Sequence, residues 1–176
     1  MRTFHMTKSR GAAVGAALIG AAVVGVGVLP SVAQSPPTFT PEPQTQRALF
    51  TDDVDLKLKV KLDGEERVVV NAKDPSRTAV VKFTVDPGAE FPWHTHPGPV
   101  IVNITQGELV YVGADDCVER SYPAGTAFVD PGHGHVHTAF NPSTTTPTVF
   151  YATFFEAPPP PTSLLIAAPA PEDCEV

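Results

Sequence analysis

Two short groups of histidines are the residues of this sequence best suited to chemistry. His94 and His96 form the first group, and His133, His135 and His137 form the second. In an extended strand, side chains two residues apart project from the same face, so both imidazoles of the first group can point into one pocket. Neutral imidazoles that converge on one point are typical ligands of a transition-metal ion. The two groups therefore predict a metal site.

The segment around the first group resembles the first motif of the cupin superfamily. That motif opens on a glycine, continues with a His-x-His pair and a glutamate, and closes on a second glycine. Gly88 and Gly107 fall on the two glycines, and the pair falls on His94 and His96. Val100 takes the place of the glutamate. Because that glutamate is a metal ligand in the family, the resemblance implies a site that lacks this carboxylate.

The second group of histidines lies in a segment that resembles the second cupin motif. Gly125 and Pro131 match the first half of this motif. Gly134, His137 and Asn141 match its second half, and one extra residue separates the two halves. Both motifs occur in the order that the family uses, which makes the resemblance more specific than a single His-x-His pair.

The metal ligands that this resemblance implies are His94, His96 and His137. Counting back from the asparagine of the second motif selects His137 as the third ligand. His135 shares a strand face with His137 if that segment is extended, so it is the alternative third ligand or a fourth one. We interpret His133 as a residue at the rim.

Three imidazoles form a neutral ligand set that leaves positions open for water, dioxygen or a substrate. Such a set suits one divalent Fe, Mn, Zn, Ni or Cu ion. A redox-active ion would favour dioxygenase chemistry on a small molecule, similar to that of three-His cupin dioxygenases, whereas zinc would activate water or a carbonyl group. The alternatives are a non-catalytic cupin that binds a small ligand without a metal, and a barrel whose histidines serve only as polar packing. We therefore predict a metal-binding cupin, with its catalytic activity left open.

Large apolar side chains close to the two motifs are expected to line a pocket for a small-molecule ligand or substrate. Trp93, Tyr111 and Phe128 provide aromatic rings, and Val100 provides an aliphatic wall. As ordinary core residues of a barrel, these side chains would need no function. Glu90 precedes the first motif, and we expect it to be an exposed turn carboxylate near the mouth of the pocket.

Short alternating segments precede the motifs and predict β-strands. Apolar residues alternate with lysines from Leu56 to Leu62, which is the period of a strand with one face in water. Asp63-Gly64 predicts a hairpin turn that leads into a partner strand at Val68–Val70. Thr78–Val85 alternates in the same way and ends at a Pro-Gly pair.

The later chain continues as short apolar segments separated by turn residues, and no long helix is predicted. This spacing predicts an all-β sandwich or barrel. The cupin resemblance covers residues 48–156 and implies a single-domain jelly-roll barrel (a double-stranded β-helix) with the metal site inside.

The two ends of the chain differ in composition from this domain. Residues 1–33 combine a basic start, an uncharged apolar run and small residues at the end, which predicts a cleaved signal peptide rather than a membrane anchor. Residues 34–47 are predicted to be a Pro-rich linker, and residues 157–176 a Pro-rich tail. Leu164–Ile166 is too apolar for a free tail, so we expect it to pack on the barrel or on a partner subunit. The protein is predicted to be secreted or held in the periplasm or cell envelope.

Cys117 and Cys174 are the two cysteines of the chain. An even number of cysteines in an exported protein predicts a disulfide. Closing this long loop would stabilise the fold by about 4 kcal/mol in the chain-entropy description.

The charge of the chain excludes one class of partner. With 12 basic and 19 acidic side chains, the net charge is -7, and no basic run is present. Such a chain is poorly suited to nucleic acid. Cleavage of the signal peptide would leave no stable membrane insertion. A small molecule is therefore the expected partner, and the cupin resemblance implies a homodimer paired through edge strands.

Overall fold

A computed structural model describes residues 35–61, 67–73 and 77–174. The predicted signal peptide and the predicted Asp63-Gly64 turn lie outside these ranges. The described residues form thirteen strands: β1 (Phe39–Pro43), β2 (Ala48–Leu49), β3 (Asp55–Val60), β4 (Val68–Lys73), β5 (Arg77–Val85), β6 (His94–Thr95), β7 (Val100–Gln106), β8 (Glu108–Gly113), β9 (Glu119–Pro123), β10 (Ala127–Asp130), β11 (His137–Phe140), β12 (Thr148–Phe154) and β13 (Ile166–Ala167).

Two antiparallel sheets enclose the core. The first has the order β1-β5-β12-β7-β10, with β2 also paired to β5, and the second has the order β13-β6-β11-β8-β9. The order of the strands differs from their order in the sequence, as a jelly roll requires. Inward residues of both sheets form one cluster, which includes Phe83 and Phe150 from the first sheet and Leu109 and Tyr111 from the second. The expected all-β jelly-roll barrel is confirmed.

The alternating segments form the strands that their period predicts. In β3, each apolar residue is half-buried and each lysine is exposed, so the lysines face water. β3 pairs with β4 as a separate two-stranded sheet, in the register Leu58 opposite Val70. In β5, Val81, Phe83 and Val85 are buried, and the residues between them are only half-buried.

The predicted linker of residues 34–47 contains a strand, which corrects the expected start of the domain at residue 48. β1 pairs antiparallel with β5 along its whole length. Its prolines suit an edge strand, because a proline has no N–H group to donate to a second neighbour. Phe39 stacks on Phe91 with their ring centroids 4.1 Å apart, and this aromatic contact gives the segment a place on the core.

The C-terminal tail also packs on the barrel. β13 pairs with β6, so Ile166 lies opposite Thr95. Leu164 and Leu165 pack against the core cluster. The predicted disulfide is present, with the Cα atoms of Cys117 and Cys174 5.3 Å apart. Residues 162–174, which we call the C-terminal strap, are therefore joined to the second sheet by strand pairing and by a covalent bond.

Within the ranges that the structure describes, no helix is long and apolar enough to span a membrane.

Candidate metal centre

Strands β6 and β11 bring three histidines together inside the barrel. His94 and His137 are direct cross-strand partners, and His96 follows two residues after His94. The ring centroids are 4.3 Å apart for His94 and His137, 4.8 Å for His94 and His96, and 5.1 Å for His96 and His137. One nitrogen of each ring lies within 4.8 Å of the other two, and all three side chains are buried. The three predicted ligands therefore converge as their motifs imply.

Backbone carbonyl groups orient two of these rings. Nδ1 of His94 lies 2.7 Å from the carbonyl oxygen of Pro92, and Nδ1 of His96 lies 2.8 Å from the carbonyl oxygen of Leu164. A carbonyl oxygen only accepts, so each Nδ1 carries the proton and donates it. Nε2 of each ring then keeps the lone pair that a metal ion needs.

Asp130 is a site residue that the sequence reasoning missed. Its side chain is 1% exposed, and it lies at the end of β10 directly opposite Val100 on β7. Oδ2 accepts a hydrogen bond from the Tyr111 hydroxyl at 2.9 Å and lies 3.0 Å from Nδ1 of His137. A signal was present in the sequence, because Asp130 is two residues after the inward Phe128 and must share its face.

The remaining histidines lie outside the group of three. Nδ1 of His135 is 3.1 Å from the Tyr111 hydroxyl and 3.8 Å from Oδ2 of Asp130. His135 therefore belongs to a second group, formed with Asp130 and His137, on the Nδ1 side of the His137 ring. His133 is exposed, and its Nε2 contacts the carboxylate of Glu156.

A small apolar cavity of about 40 Å³ adjoins the three histidines. Five phenyl rings line it, from Phe83, Phe91, Phe128, Phe150 and Phe154. Val100 also lines the cavity, as expected, and so does the carboxylate-bearing Asp130.

Two expected pocket residues occupy other positions. Among the described residues, Trp93 and Tyr111 are not part of the cavity lining. Tyr111 is buried and stacks on His137 with the ring centroids 4.9 Å apart. Trp93 is half-buried, and its carbonyl oxygen accepts a hydrogen bond from the Ala168 N–H at 3.0 Å. Glu90 is an exposed carboxylate, as the sequence predicts.

The C-terminal strap closes one side of the centre. Leu165 lines the cavity, and the preceding Leu164 supplies the carbonyl oxygen that holds His96. Ala167 on β13 lies opposite His94 on β6. Two of the three histidines are therefore in direct contact with a segment that follows strand β12 in the sequence.

Burial keeps two of the histidines in the neutral form that a metal requires. Desolvation, reinforced by the neighbouring rings of His137 and His96, lowers the pKa of His94 to about 3. Desolvation also lowers the pKa of His137 to about 4, although the Asp130 carboxylate opposes this shift. Burial would raise the pKa of Asp130, but the charges and hydrogen bonds of His137, His135, His96 and the Gly132 N–H hold it below its ordinary value. Near pH 7 the centre thus combines the neutral imidazoles of His94 and His137 with the carboxylate of Asp130.

Comparisons with known proteins agree with this architecture. Residues 81–154 match the family described as the cupin domain. An (R)-mandelonitrile lyase from Granulicella tundricola is 34% identical over 68 residues, which is 39% of this chain and 52% of that protein. The chain therefore spans about half the length of this curated relative.

Solved structures with a similar fold include two cupins. An RmlC-like cupin from Shewanella frigidimarina is 29% identical, with a TM-score of 0.39 over 46% of this chain and 67% of that one. A cupin-like protein from Thermotoga maritima is 24% identical, with a TM-score of 0.44 over 55% of this chain and 74% of that one. With both histidine motifs in an antiparallel barrel, and the cupin match across β5 to β12, residues 81–154 form a cupin domain.

Proposed function

We propose that this chain binds one divalent transition-metal ion through the Nε2 atoms of His94, His96 and His137. The observation that carries the proposal is the convergence of three buried imidazoles, with one nitrogen of each ring within 4.8 Å of the others. Each Nδ1 atom faces an oxygen acceptor, so each ring is suited to binding through its other nitrogen. Buried imidazoles with no such role would need other polar partners for their Nε2 atoms.

The three nitrogen donors determine which metal ions suit the site. Three imidazole nitrogens suit Fe, Mn, Zn, Ni or Cu, and they suit Ca or Mg poorly because those ions prefer oxygen ligands. When bound, such an ion would supply Lewis acidity and, if redox-active, electron transfer.

The surrounding residues would control access and orientation. The phenyl rings exclude bulk water, and a cavity of about 40 Å³ holds only a few water-sized molecules. An organic ligand of ordinary size therefore requires a movement of the wall, and Leu165 on the strap is a side chain whose displacement would enlarge the cavity. The proposed ligand is a small, largely apolar molecule.

Export to the cell envelope or beyond is part of the proposal. It is supported by the three-part pattern of residues 1–33 and by the Cys117–Cys174 disulfide, because disulfides persist mainly in oxidising compartments.

Metal analysis of the protein purified from its native compartment tests the proposal directly. We expect about one transition-metal ion per chain, and loss of that ion in His94→Ala and in His137→Ala. His133→Ala is the matched control, because His133 is exposed and outside the group of three. Absence of bound metal in the wild type, together with no uptake of added Zn²⁺ or Mn²⁺, would leave the histidines as packing residues.

A lyase activity on a small aromatic cyanohydrin is a second candidate function. The curated relative is an (R)-mandelonitrile lyase, and the similarity lies in a segment of 68 residues. Cleavage of mandelonitrile to benzaldehyde and hydrogen cyanide needs proton transfer but no oxidant. Incubation of the metal-loaded protein with mandelonitrile, following both benzaldehyde release and oxygen consumption, tests the lyase. A lyase releases benzaldehyde without consuming oxygen, and absence of benzaldehyde release would remove this candidate.

A further inference from the structure

We propose that Asp130 is the positioning residue of His137, and that it provides from strand β10 the negative charge that Val100 lacks on strand β7. The proposal rests on the proposed metal binding and adds a residue to it.

The strand register places this carboxylate beside the position that the first motif leaves apolar. Asp130 and Val100 are direct cross-strand partners in the β7–β10 ladder. Both side chains are 1% exposed, and both line the cavity. A carboxylate lost from one strand is thus matched by a carboxylate on its neighbour, in the same part of the barrel.

Two donors hold the Asp130 carboxylate in place. The Gly132 N–H donates to Oδ1 at 2.8 Å, and the Tyr111 hydroxyl donates to Oδ2 at 2.9 Å. Nδ1 of His137 lies 3.0 Å from Oδ2, at ion-pair distance but without the geometry of a hydrogen bond. A buried carboxylate that receives several donors is fixed in orientation and does not need a direct bond to a metal to be satisfied.

The loop that follows Asp130 has no freedom to relax. Gly132 has a φ of +62°, and a Cβ atom at this position would lie 2.0 Å from the carbonyl oxygen of Gly98. Only glycine fits such a close approach of two backbones. The N–H donor to Oδ1 is consequently held rigidly against the loop that precedes β7.

The contact with His137 determines which nitrogen can bind a metal. An oxygen 3.0 Å from Nδ1 disfavours a lone pair on that nitrogen and favours a proton there. Nε2 then carries the lone pair. The stacked Tyr111 ring also restrains the imidazole plane. His94 and His96 have neutral carbonyl groups in the equivalent place, so His137 alone among the three has an anionic partner.

Loss of such an outer partner typically weakens metal binding by about 10–100-fold. We expect this effect for Asp130→Asn, which keeps the volume and removes the charge. Asp53→Asn is the matched control, because it removes the same charge from an exposed residue. Tyr111→Phe keeps the ring on His137 and removes one donor to Oδ2, so we expect a smaller loss, about threefold to tenfold. This second variant tests the proposal even if Asp130→Asn does not fold.

The experiment measures the affinity of each full-length protein for Zn²⁺ against a chromogenic chelator, and the visible spectrum of each protein loaded with Co²⁺. Thermal melts without metal identify the variants that are folded. The expected result is one ion per chain, the stated losses, and an Asp53→Asn control within about twofold of wild type. In Asp130→Asn and Tyr111→Phe, the Co²⁺ bands should keep their intensity but shift in position.

Two results would overturn the role of Asp130 and leave metal binding intact. Wild-type affinity and an unshifted Co²⁺ spectrum in both Asp130→Asn and Tyr111→Phe would show that His137 does not depend on the carboxylate. A loss greater than about a thousandfold in Asp130→Asn, or two ions per wild-type chain, would make Asp130 a direct ligand. Failure of the wild type and the Asp53→Asn control to bind any ion would instead refute the proposed function, and the role of Asp130 with it.

Discussion

The metal-free protein should lose stability steeply as the pH falls through the ordinary titration range of histidine. The folded state holds His94 and His137 neutral, with pKa values of about 3 and about 4, whereas each has a pKa near 6.5 once unfolded. Below pH 6.5 the unfolded chain therefore binds protons that the folded chain does not, and proton uptake favours unfolding.

The loss of unfolding free energy depends on the difference between the pH of the experiment and the pKa of each histidine in the unfolded chain. Each pH unit below that pKa is worth about 1.4 kcal/mol per histidine that remains neutral in the fold. At pH 5.0 both folded histidines are still neutral, so we expect each to lower the free energy of unfolding by about 2 kcal/mol relative to pH 7.5, or about 4 kcal/mol together. Asp130 adds to the loss only at lower pH, because its depressed pKa stabilises the fold above the ordinary carboxyl range.

Urea denaturation in excess chelator, at pH 7.5 and 5.0, measures this difference. His137→Gln should reduce the pH dependence by about half and His94→Gln likewise, because glutamine does not titrate. His133→Ala should retain most of it, since this side chain is exposed. A wild-type protein with the same free energy of unfolding at both pH values, or a His137→Gln variant with the full wild-type dependence, would refute the reasoning.

Three further predictions concern export, the disulfide and the lost acidic position. Mass spectrometry of the exported protein should find an N-terminus near Gln34, and recovery of the intact signal segment in membranes would contradict cleavage. Cys174→Ser should lower the free energy of unfolding by about 4 kcal/mol, and reductant should lower the melting temperature of the wild type but not of this variant. Val100→Glu would place a second carboxylate opposite Asp130, so the metal-free variant should lose several kcal/mol while added Zn²⁺ restores more stability than in the wild type. An unchanged melt of the metal-free variant would mean that the new carboxylate reaches water.

Local patterns were sufficient to predict most of the barrel. The alternation along β3 and β5 depends only on which face of a strand meets the core, and this information lies within a few residues. The three converging histidines could be predicted because the first motif places His94 and His96 between its two glycines, and the second places His137 at a fixed distance from an asparagine.

Features that depend on pairing between distant segments were missed or misjudged. Residues 39–43 are rich in proline and resembled a linker, but they pair with β5, and Phe39 stacks on Phe91 of the core. The spacing of Asp130 from Phe128 indicated an inward face, but its place beside Val100 depends on the register between strands, which no local spacing records.

The C-terminal strap has a consequence for when the metal centre reaches its final form. Leu164, whose carbonyl oxygen orients His96, is synthesised after strands β1 to β12. The His96 ring thus has its carbonyl partner only after the strap has closed over the barrel, and formation of the Cys117–Cys174 bond then retains the strap there. If the chain is exported unfolded, as the proposed signal peptide suggests, these late steps occur outside the cytosol. The metal ions available in the compartment outside the cytosol would then determine which ion occupies the site. The timing of disulfide formation would help to determine how long a bound ion can still exchange.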